Sequence, residues 1–376
     1  MKFLSSLIKK DLQNKICLLR VDLNVQELET RQNIHPRVSA ILPTIEFLIG
    51  NGAKVVILSH RGRPKPAERA NSEFSLKPLA AILSKLLKKT VNFVDFQKLD
   101  DFGELKSKIQ DSSPGSIFLL ENLRFWPEEE RNNPKFAKKL AFLGDFYVND
   151  AFAVSHRKNA SVAAITLFLP SYAGLLLEKE IKNLSAVIKN PKRPMAVILG
   201  GAKISDKIGV IKNLYSKADY FLLGGALANT VFAAQGIPVG DSLYEKKIDA
   251  KKIMRQFGKK IFLPTDVIVE KRKILDIGQL SVKKYKEIIG KSKTVVFNGP
   301  MGYIEKPKFA KATKEIIAAL LKSRSRIIIG GGETTSLFAP YPKPHTLNPY
   351  LFISTGGGAM LEYLSGKKLP GLEALK

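Results

Sequence analysis

Short β-branched runs alternate with longer segments of helical period along the whole chain, an order that suits parallel sheets covered by helices on both faces. In the first half, Ile16–Val25, Lys54–Ser59, Val91–Phe96, Ser116–Leu120 and Asp145–Asn149 predict strands. Between them, Arg37–Ile49, Leu76–Lys88, Phe102–Ile109 and Lys135–Leu143 predict amphipathic helices. The second half repeats the rhythm, with strands at Met195–Leu199, Tyr220–Leu223, Ile261–Leu263, Thr294–Phe297, Arg326–Ile329 and Leu351–Ile353. Its helices fall at Asp206–Ser216, Leu227–Gln235, Ile248–Phe257, Val282–Ile289, Pro307–Lys322 and Met360–Leu364. Two such series imply an α/β chain of two doubly wound, Rossmann-like domains, which its 376 residues accommodate. Gly174–Ile188 has helical period and is closed by Asn190-Pro191 and Arg193-Pro194, which predicts a rigid helical connector. The expected division is 1–172, a connecting helix over 173–190, and 191–364.

Cys17 is the only cysteine, which excludes an internal disulfide and a cysteine metal cage and fits a reducing cytosol. No run of 18 or more apolar residues predicts a membrane span, and charges come too early in the first residues for a secretory signal. The expected setting is therefore cytoplasmic. Lys and Arg number 61 against 34 Asp and Glu, a net charge of +27. Such a field attracts anions and motivates an alternative reading, a nucleic-acid-binding or scaffold role. The lysines, however, recur along amphipathic stretches such as 246–260 and 283–293, which read as solvated helix faces. No zinc spacing or aromatic-flanked basic groove accompanies them.

Ligands of open parallel sheets bind beyond the carboxyl ends of the strands. In the first half those ends carry Asp22, Asn24, His60, Arg61, Gly62, Arg63, Arg124 and Arg157, with Arg37 at the opening of the first helix. A positive side chain does not complement a helix N-terminus, so Arg37 is placed for something else. A lone arginine reads as a surface residue. Several at successive strand ends predict a small, strongly anionic ligand held by guanidinium forks. In the second half the ends are glycine-rich: Gly200-Gly201-Ala202-Lys203, Gly224-Gly225, Asn298-Gly299-Pro300, Gly330-Gly331-Gly332-Glu333-Thr334 and Gly356-Gly357-Gly358. With Lys203 and Lys207 near a helix start, they predict a nucleotide phosphate cradle made of main chain. Neither GxxxxGK[ST] nor GxGxxG occurs, so the cradle is not a P-loop or a dinucleotide fingerprint. Anion on one domain and nucleotide on the other imply phosphoryl transfer across a cleft. His35 and His345 lie in loop-like segments, and His60 and His156 stand beside arginines, which suits ligand binding better than nucleophilic attack.

The ordered segments RVDLNV (Arg20–Val25), LSHRGRP (Leu58–Pro64), ENLRF and PEEE (Glu121–Phe125, Pro127–Glu130) and YVNDAF (Tyr147–Phe152) resemble the phosphoglycerate kinase family. The likeness continues through GGAKISDKI (Gly200–Ile208), PTDV (Pro264–Val267), NGPMG (Asn298–Gly302), GGGET (Gly330–Thr334) and STGGGA (Ser354–Ala359). It spans nearly the whole chain. The resemblance implies reversible transfer of the acyl phosphate of 1,3-bisphosphoglycerate to ADP, giving 3-phosphoglycerate and ATP in glycolysis. It implies 3-phosphoglycerate on Asp22, Asn24, Arg37, His60, Arg61, Gly62, Arg63, Arg124 and Arg157. It implies nucleotide on Gly201, Ala202, Lys203, Lys207, Gly224, Gly225, Asn298, Pro300, Glu305, Gly331, Gly332, Glu333 and Thr334, with Glu305 on the ribose. Arg37, Lys203 and Lys207 would be catalytic, with the Gly356–Gly358 helix start assisting, and Mg²⁺ would take Glu333. It further implies direct in-line transfer after hinge closure, and residues 365–376 packing back on the first domain. The expected protein is a monomer with small-molecule substrates and no membrane partner, and nucleic acid stays open as a partner. The sequence departs from the family pattern at Glu333 (usually Asp), Gln26 (usually Pro), Trp126 (usually His) and Asn159 (frequently His).

Overall fold

A computed structural model describes residues 1–25, 35–64, 72–95, 102–202, 204–246, 248–338 and 347–376. Gln26, Lys203 and His345 lie outside them. The chain separates into two compact units, Met1–Ile181 with Lys368–Lys376, and Lys182–Lys367. The division falls within the helix Leu175–Lys189.

The first unit is built on a parallel sheet of β1 (Ile16–Arg20), β2 (Lys54–Leu58), β3 (Val91–Val94), β4 (Ile117–Leu120), β5 (Phe146–Asn149) and β6 (Ser171–Ala173), in the order β3-β4-β2-β1-β5-β6. Every residue of β1, β2, β4 and β5 is buried, the pattern of strands covered on both faces. Leu19, Val55, Ile57 and Val148 share one core with Ile41, Ile45 and Leu48 of the helix Pro36–Gly50. The strand order reverses at β1, so the crevice lies beyond the ends of β1, β2 and β5.

The second unit contains β7 (Met195–Leu199), β8 (Tyr220–Leu223), β9 (Ile261–Phe262), β10 (Val267–Glu270), β11 (Lys273–Ile277), β12 (Thr294–Asn298), β13 (Arg326–Gly330) and β14 (Leu351–Ile353). Its parallel sheet runs β14-β13-β12-β7-β8-β9 and reverses between β7 and β12. The antiparallel hairpin β10-β11 was not foreseen. Its turn residues Lys271 and Arg272 both take positive φ (46° and 62°), where Asn-Gly would have announced a hairpin. The helix expected over 307–322 is broken into a 3₁₀ turn at Pro307–Phe309 and a helix over Lys311–Lys322. Asp276 of β11 causes the restart by accepting from the Ala312 amide at 3.2 Å. Among the described residues no helix is long and apolar enough to cross a membrane.

Asp150, just past β5, accepts from Leu177 N at 2.9 Å and so caps the helix Leu175–Lys189. Its other oxygen is buried without a hydrogen bond, and burial pushes the carboxyl up to about 6. A raised folded-state value means that stability from this group is complete below about pH 4 and is lost as pH rises through 6. Asp150→Asn keeps a capping acceptor and removes the buried charge. It is expected to stabilise the chain by about 1–2 kcal/mol at pH 7.5 and much less at pH 4.5. Urea unfolding at the two pH values checks this, and an equal effect at both would contradict it.

Candidate active site

In the first unit the predicted residues meet at the ends of β1, β2, β4 and β5. His35 caps the helix Pro36–Gly50 by accepting from Arg37 N at 3.1 Å. The Arg37 guanidinium reaches Asp22 Oδ2 at 3.0 Å and donates to the Asn24 carbonyl at 3.1 Å. Asn24 Oδ1 accepts from Gly62 N at 2.8 Å, and the Gly62 carbonyl accepts from Arg124. Gly62 has φ +63°, and an added Cβ would lie 2.4 Å from the Phe74 ring, so this turn needs glycine. His60, 1% exposed, faces Asp22 Oδ1 at 3.9 Å. Burial, then Arg20, Arg124, Arg157 and Arg37, hold its pKa well below the ordinary histidine value, so it is neutral.

Cation crowding is the electrostatic signature of this site. Burial, then Arg157 and Arg20, lower Arg124 to about 10. Burial and Arg63 likewise lower Arg157. Both stay charged at neutral pH, and an anion among them relieves the repulsion. Arg61 differs from its neighbours: its guanidinium donates to the carbonyls of Val25 and Ser75 at 3.1 and 3.2 Å. Those bonds give it a loop-holding part.

Arg20 is not among the site residues that the sequence predicts. It is buried in β1 and contacts His60 Nδ1 at 3.1 Å, Ser161 Oγ at 2.8 Å and Glu129 at 4.0 Å. An arginine inside an otherwise apolar strand run was the available signal, because a buried charge needs partners. Two departures from the family pattern pack around the same network. Trp126 is buried and stacks on Phe136 at 6.4 Å between centroids. Asn159 donates to the Glu129 carbonyl at 3.3 Å.

In the second unit the glycine segments gather at the reversal between β7 and β12. Gly200 N donates to Asn298 O (3.1 Å), Gly201 N to Pro300 O (2.7 Å), Gly224 N to Leu199 O (2.9 Å) and Gly225 N to Met301 O (3.0 Å). Gly299 N donates to Thr334 Oγ1 at 2.9 Å. These amides are therefore used inside the protein. Gly200, Gly224, Gly225 and Gly299 need close approach: a Cβ on Gly225 would lie 2.7 Å from Gly201 N. Gly332, Gly357 and Gly358 are different, since an added Cβ meets nothing within 4 Å. The backbone is therefore open at Gly332, Gly357 and Gly358.

Asn298 is 3% exposed and its Nδ2 has no hydrogen-bond partner in the described structure; it lies against Gly330 and Gly331. A buried donor left unmatched invites a ligand acceptor. Lys207 is buried in the helix Ile204–Leu214, and Ala202 is exposed. Glu305 is exposed in a turn tied to β11 by Tyr303 N donating to Leu275 O at 2.7 Å. Glu333 is exposed, with Oε2 3.7 Å from where a Gly201 Cβ would stand. One exposed carboxylate suits Mg²⁺, which binds through one or two carboxylates plus substrate phosphates. Among the described residues no group of three or more acidic, His or Cys side chains forms a metal cage.

The family model described as phosphoglycerate kinase matches residues 7–367. The chain is 44% identical over 394 residues to the phosphoglycerate kinase of Finegoldia magna, covering 97% of this chain and 98% of that protein. It is 43% identical to the chloroplastic phosphoglycerate kinase 2 of Arabidopsis thaliana, over 100% of this chain and 82% of that one. Solved phosphoglycerate kinases also superpose well. The Coxiella burnetii enzyme gives TM-score 0.82 at 34% identity over 99% and 98% of the two chains. The Pyrococcus horikoshii enzyme gives TM-score 0.83 at 33% identity over 100% and 98%.

Proposed function

The chain belongs to the phosphoglycerate kinase family and has its function, and from that premise we propose how its residues divide the work. 3-Phosphoglycerate binds in the first unit on Asp22, Asn24, Arg37, His60, Gly62, Arg63, Arg124 and Arg157, with Arg61 bracing the loop. The observation that carries this is the crowding of Arg37, Arg124, Arg157 and Arg20 about one neutral histidine. ADP or ATP binds in the second unit, on Gly201, Ala202, Lys203, Lys207, Gly224, Gly225, Asn298, Pro300, Glu305 and the Gly331–Thr334 segment. The alternative nucleic-acid or scaffold role finds no support in the family match.

The substrate carboxylate is the phosphoryl acceptor in the ATP-consuming direction, and transfer is direct and in line. Catalysis is then positioning plus neutralisation of charge on the equatorial oxygens. Arg37, Lys203 and Lys207 supply that positive charge, and the open backbone at Gly357 and Gly358 supplies dipoles. Mg²⁺, held by Glu333, would neutralise nucleotide phosphate oxygens. Because the ligands sit on different units, a closing motion about the Leu175–Lys189 helix assembles the reacting pair and excludes water. A monomer in the cytoplasm completes the proposal.

The test is ligand-dependent unfolding alongside a coupled assay. 3-Phosphoglycerate at 100 times its Kd is expected to stabilise the chain by about 2.7 kcal/mol. With the ligand held at that same concentration, the gain should shrink as added salt screens the arginine field and raises the Kd. No stabilisation by 3-phosphoglycerate, with ATP-dependent turnover intact, would remove the arginine cluster from the substrate site.

A further inference from the structure

Glu129 is 1% exposed and lies behind the substrate site rather than in it. Its carboxylate accepts from Ser161 N at 2.8 Å and from Ser161 Oγ at 2.6 Å. Ser161 Oγ in turn accepts from Arg20 Nε at 2.8 Å, and Glu129 Oε1 stands 4.0 Å from Arg20 Nη2. The same Nη2 lies 3.1 Å from His60 Nδ1. Tyr147, on β5, donates to the Ser161 carbonyl at 2.7 Å and fixes the bridging residue from the other side.

This chain of contacts has a chemical consequence at the far end. A guanidinium has donors and no acceptor, so His60 Nδ1 must offer its lone pair to Arg20. The ring is neutral among four cationic neighbours, so its single proton sits on Nε2. Nε2 is the atom that faces Asp22 Oδ1 at 3.9 Å, beside the Arg37 guanidinium that pairs with the same carboxylate. His60 therefore presents an N–H donor to the site, which suits a carboxylate or hydroxyl oxygen of a sugar-acid phosphate. The opposite tautomer would place a lone pair there and repel it.

We propose that Glu129 is a positioning residue for this enzyme's acid substrate: acting through Ser161 and Arg20, it holds His60 as the Nε2–H tautomer aimed at the Asp22–Arg37 site. The proposal rests on the reading that this site takes 3-phosphoglycerate. Glu129 matches the anchor that a buried guanidinium requires, and Ser161 sets its direction by sharing one oxygen between the two.

Glu129→Gln leaves the Arg20 charge buried without its carboxylate and endangers the fold. Ser161→Ala keeps both charges and carries the test. With ¹⁵N-labelled histidine in the full chain and His60→Asn for assignment, wild-type His60 is expected to show a pyridine-type Nδ1 and a pyrrole-type Nε2. In Ser161→Ala the two nitrogens should move towards tautomer averaging. The KM for 3-phosphoglycerate should rise about tenfold, the loss of one charge-assisted hydrogen bond, while the KM for ATP stays put. A wild-type Nδ1–H tautomer overturns the proposal. So does a variant in which only one of the tautomer and the KM moves, or neither. Arg37→Ala separates the two levels. If it raises the 3-phosphoglycerate KM while Ser161→Ala does not, only the positioning role falls; if neither does, the substrate assignment falls with it.

Discussion

Replacing Arg37 with alanine is expected to lower kcat/KM for 3-phosphoglycerate about a thousandfold while the far-ultraviolet circular dichroism stays that of the wild type. The helix it opens is capped by His35 and begins at Pro36, and neither depends on the Arg37 side chain. The fold therefore has little to lose. The site has much more. Arg37 is the partner of Asp22 at 3.0 Å and donates to the Asn24 carbonyl, so its removal unties two further substrate residues at once. Losing one preorganised donor aimed at developing charge typically costs about 10²–10³ in rate, and the loosened Asp22–Asn24 turn adds to that. Arg37→Lys keeps the charge without the planar fork and should recover only part of the loss, about tenfold. The KM for ATP should hardly change, because the proposed nucleotide residues belong to the other unit. Wild-type kcat/KM in Arg37→Ala would remove it from the catalytic set.

Much of this was legible because each sheet is simple. In β1, β2, β7 and β12 every residue is buried, so continuous apolar runs marked them plainly. The first strand ends at Arg20 rather than Val25, since Val21, Leu23 and Val25 are buried as loop residues and look like strand in the sequence. β6 escaped notice because it is three residues with intermediate exposure at two of them. The β10-β11 hairpin escaped because its turn is made of Lys271 and Arg272. At the site, residue type and strand-end position sufficed to bring Asp22, Arg37, His60 and Arg124 together. The Glu129–Ser161–Arg20 line was invisible for another reason: it joins residues 32 and 141 positions apart, and nothing local in the PEEE segment says which glutamate turns inward. Glycine carried an ambiguous message. The same residue type serves a phosphate that comes close and a neighbouring backbone that does so, and only the hydrogen bonds of Gly200, Gly201, Gly225 and Gly299 distinguish the two.

That distinction gives the second large effect. Gly299→Ala is expected to destabilise the second unit by about 3–5 kcal/mol and to abolish detectable nucleotide binding at temperatures where the wild type is folded. Two costs combine. Gly299 has φ +87°, a conformation that L side chains rarely adopt, and its Cβ would stand 2.2 Å from Gly200 O and 2.6 Å from Gly200 C. The obstacle is main chain, so no rotamer relieves it. Nor can the two loops simply part. Gly200 N is bonded to Asn298 O and Gly201 N to Pro300 O, so separation breaks the stitches that close the reversal between β7 and β12. It also pulls Gly299 N from Thr334 Oγ1, at the end of the Gly331–Thr334 segment proposed to take phosphate. Gly290→Ala provides the contrast. Gly290 lies in the helix Gln279–Lys291, and an added Cβ there meets nothing within 4 Å, so alanine should stabilise by about 0.5–1 kcal/mol. Calorimetry of both variants, with nucleotide titration of each, decides the matter. A Gly299→Ala protein that melts with the wild type would mean that the loops carry slack, and that glycine stands there for the ligand after all.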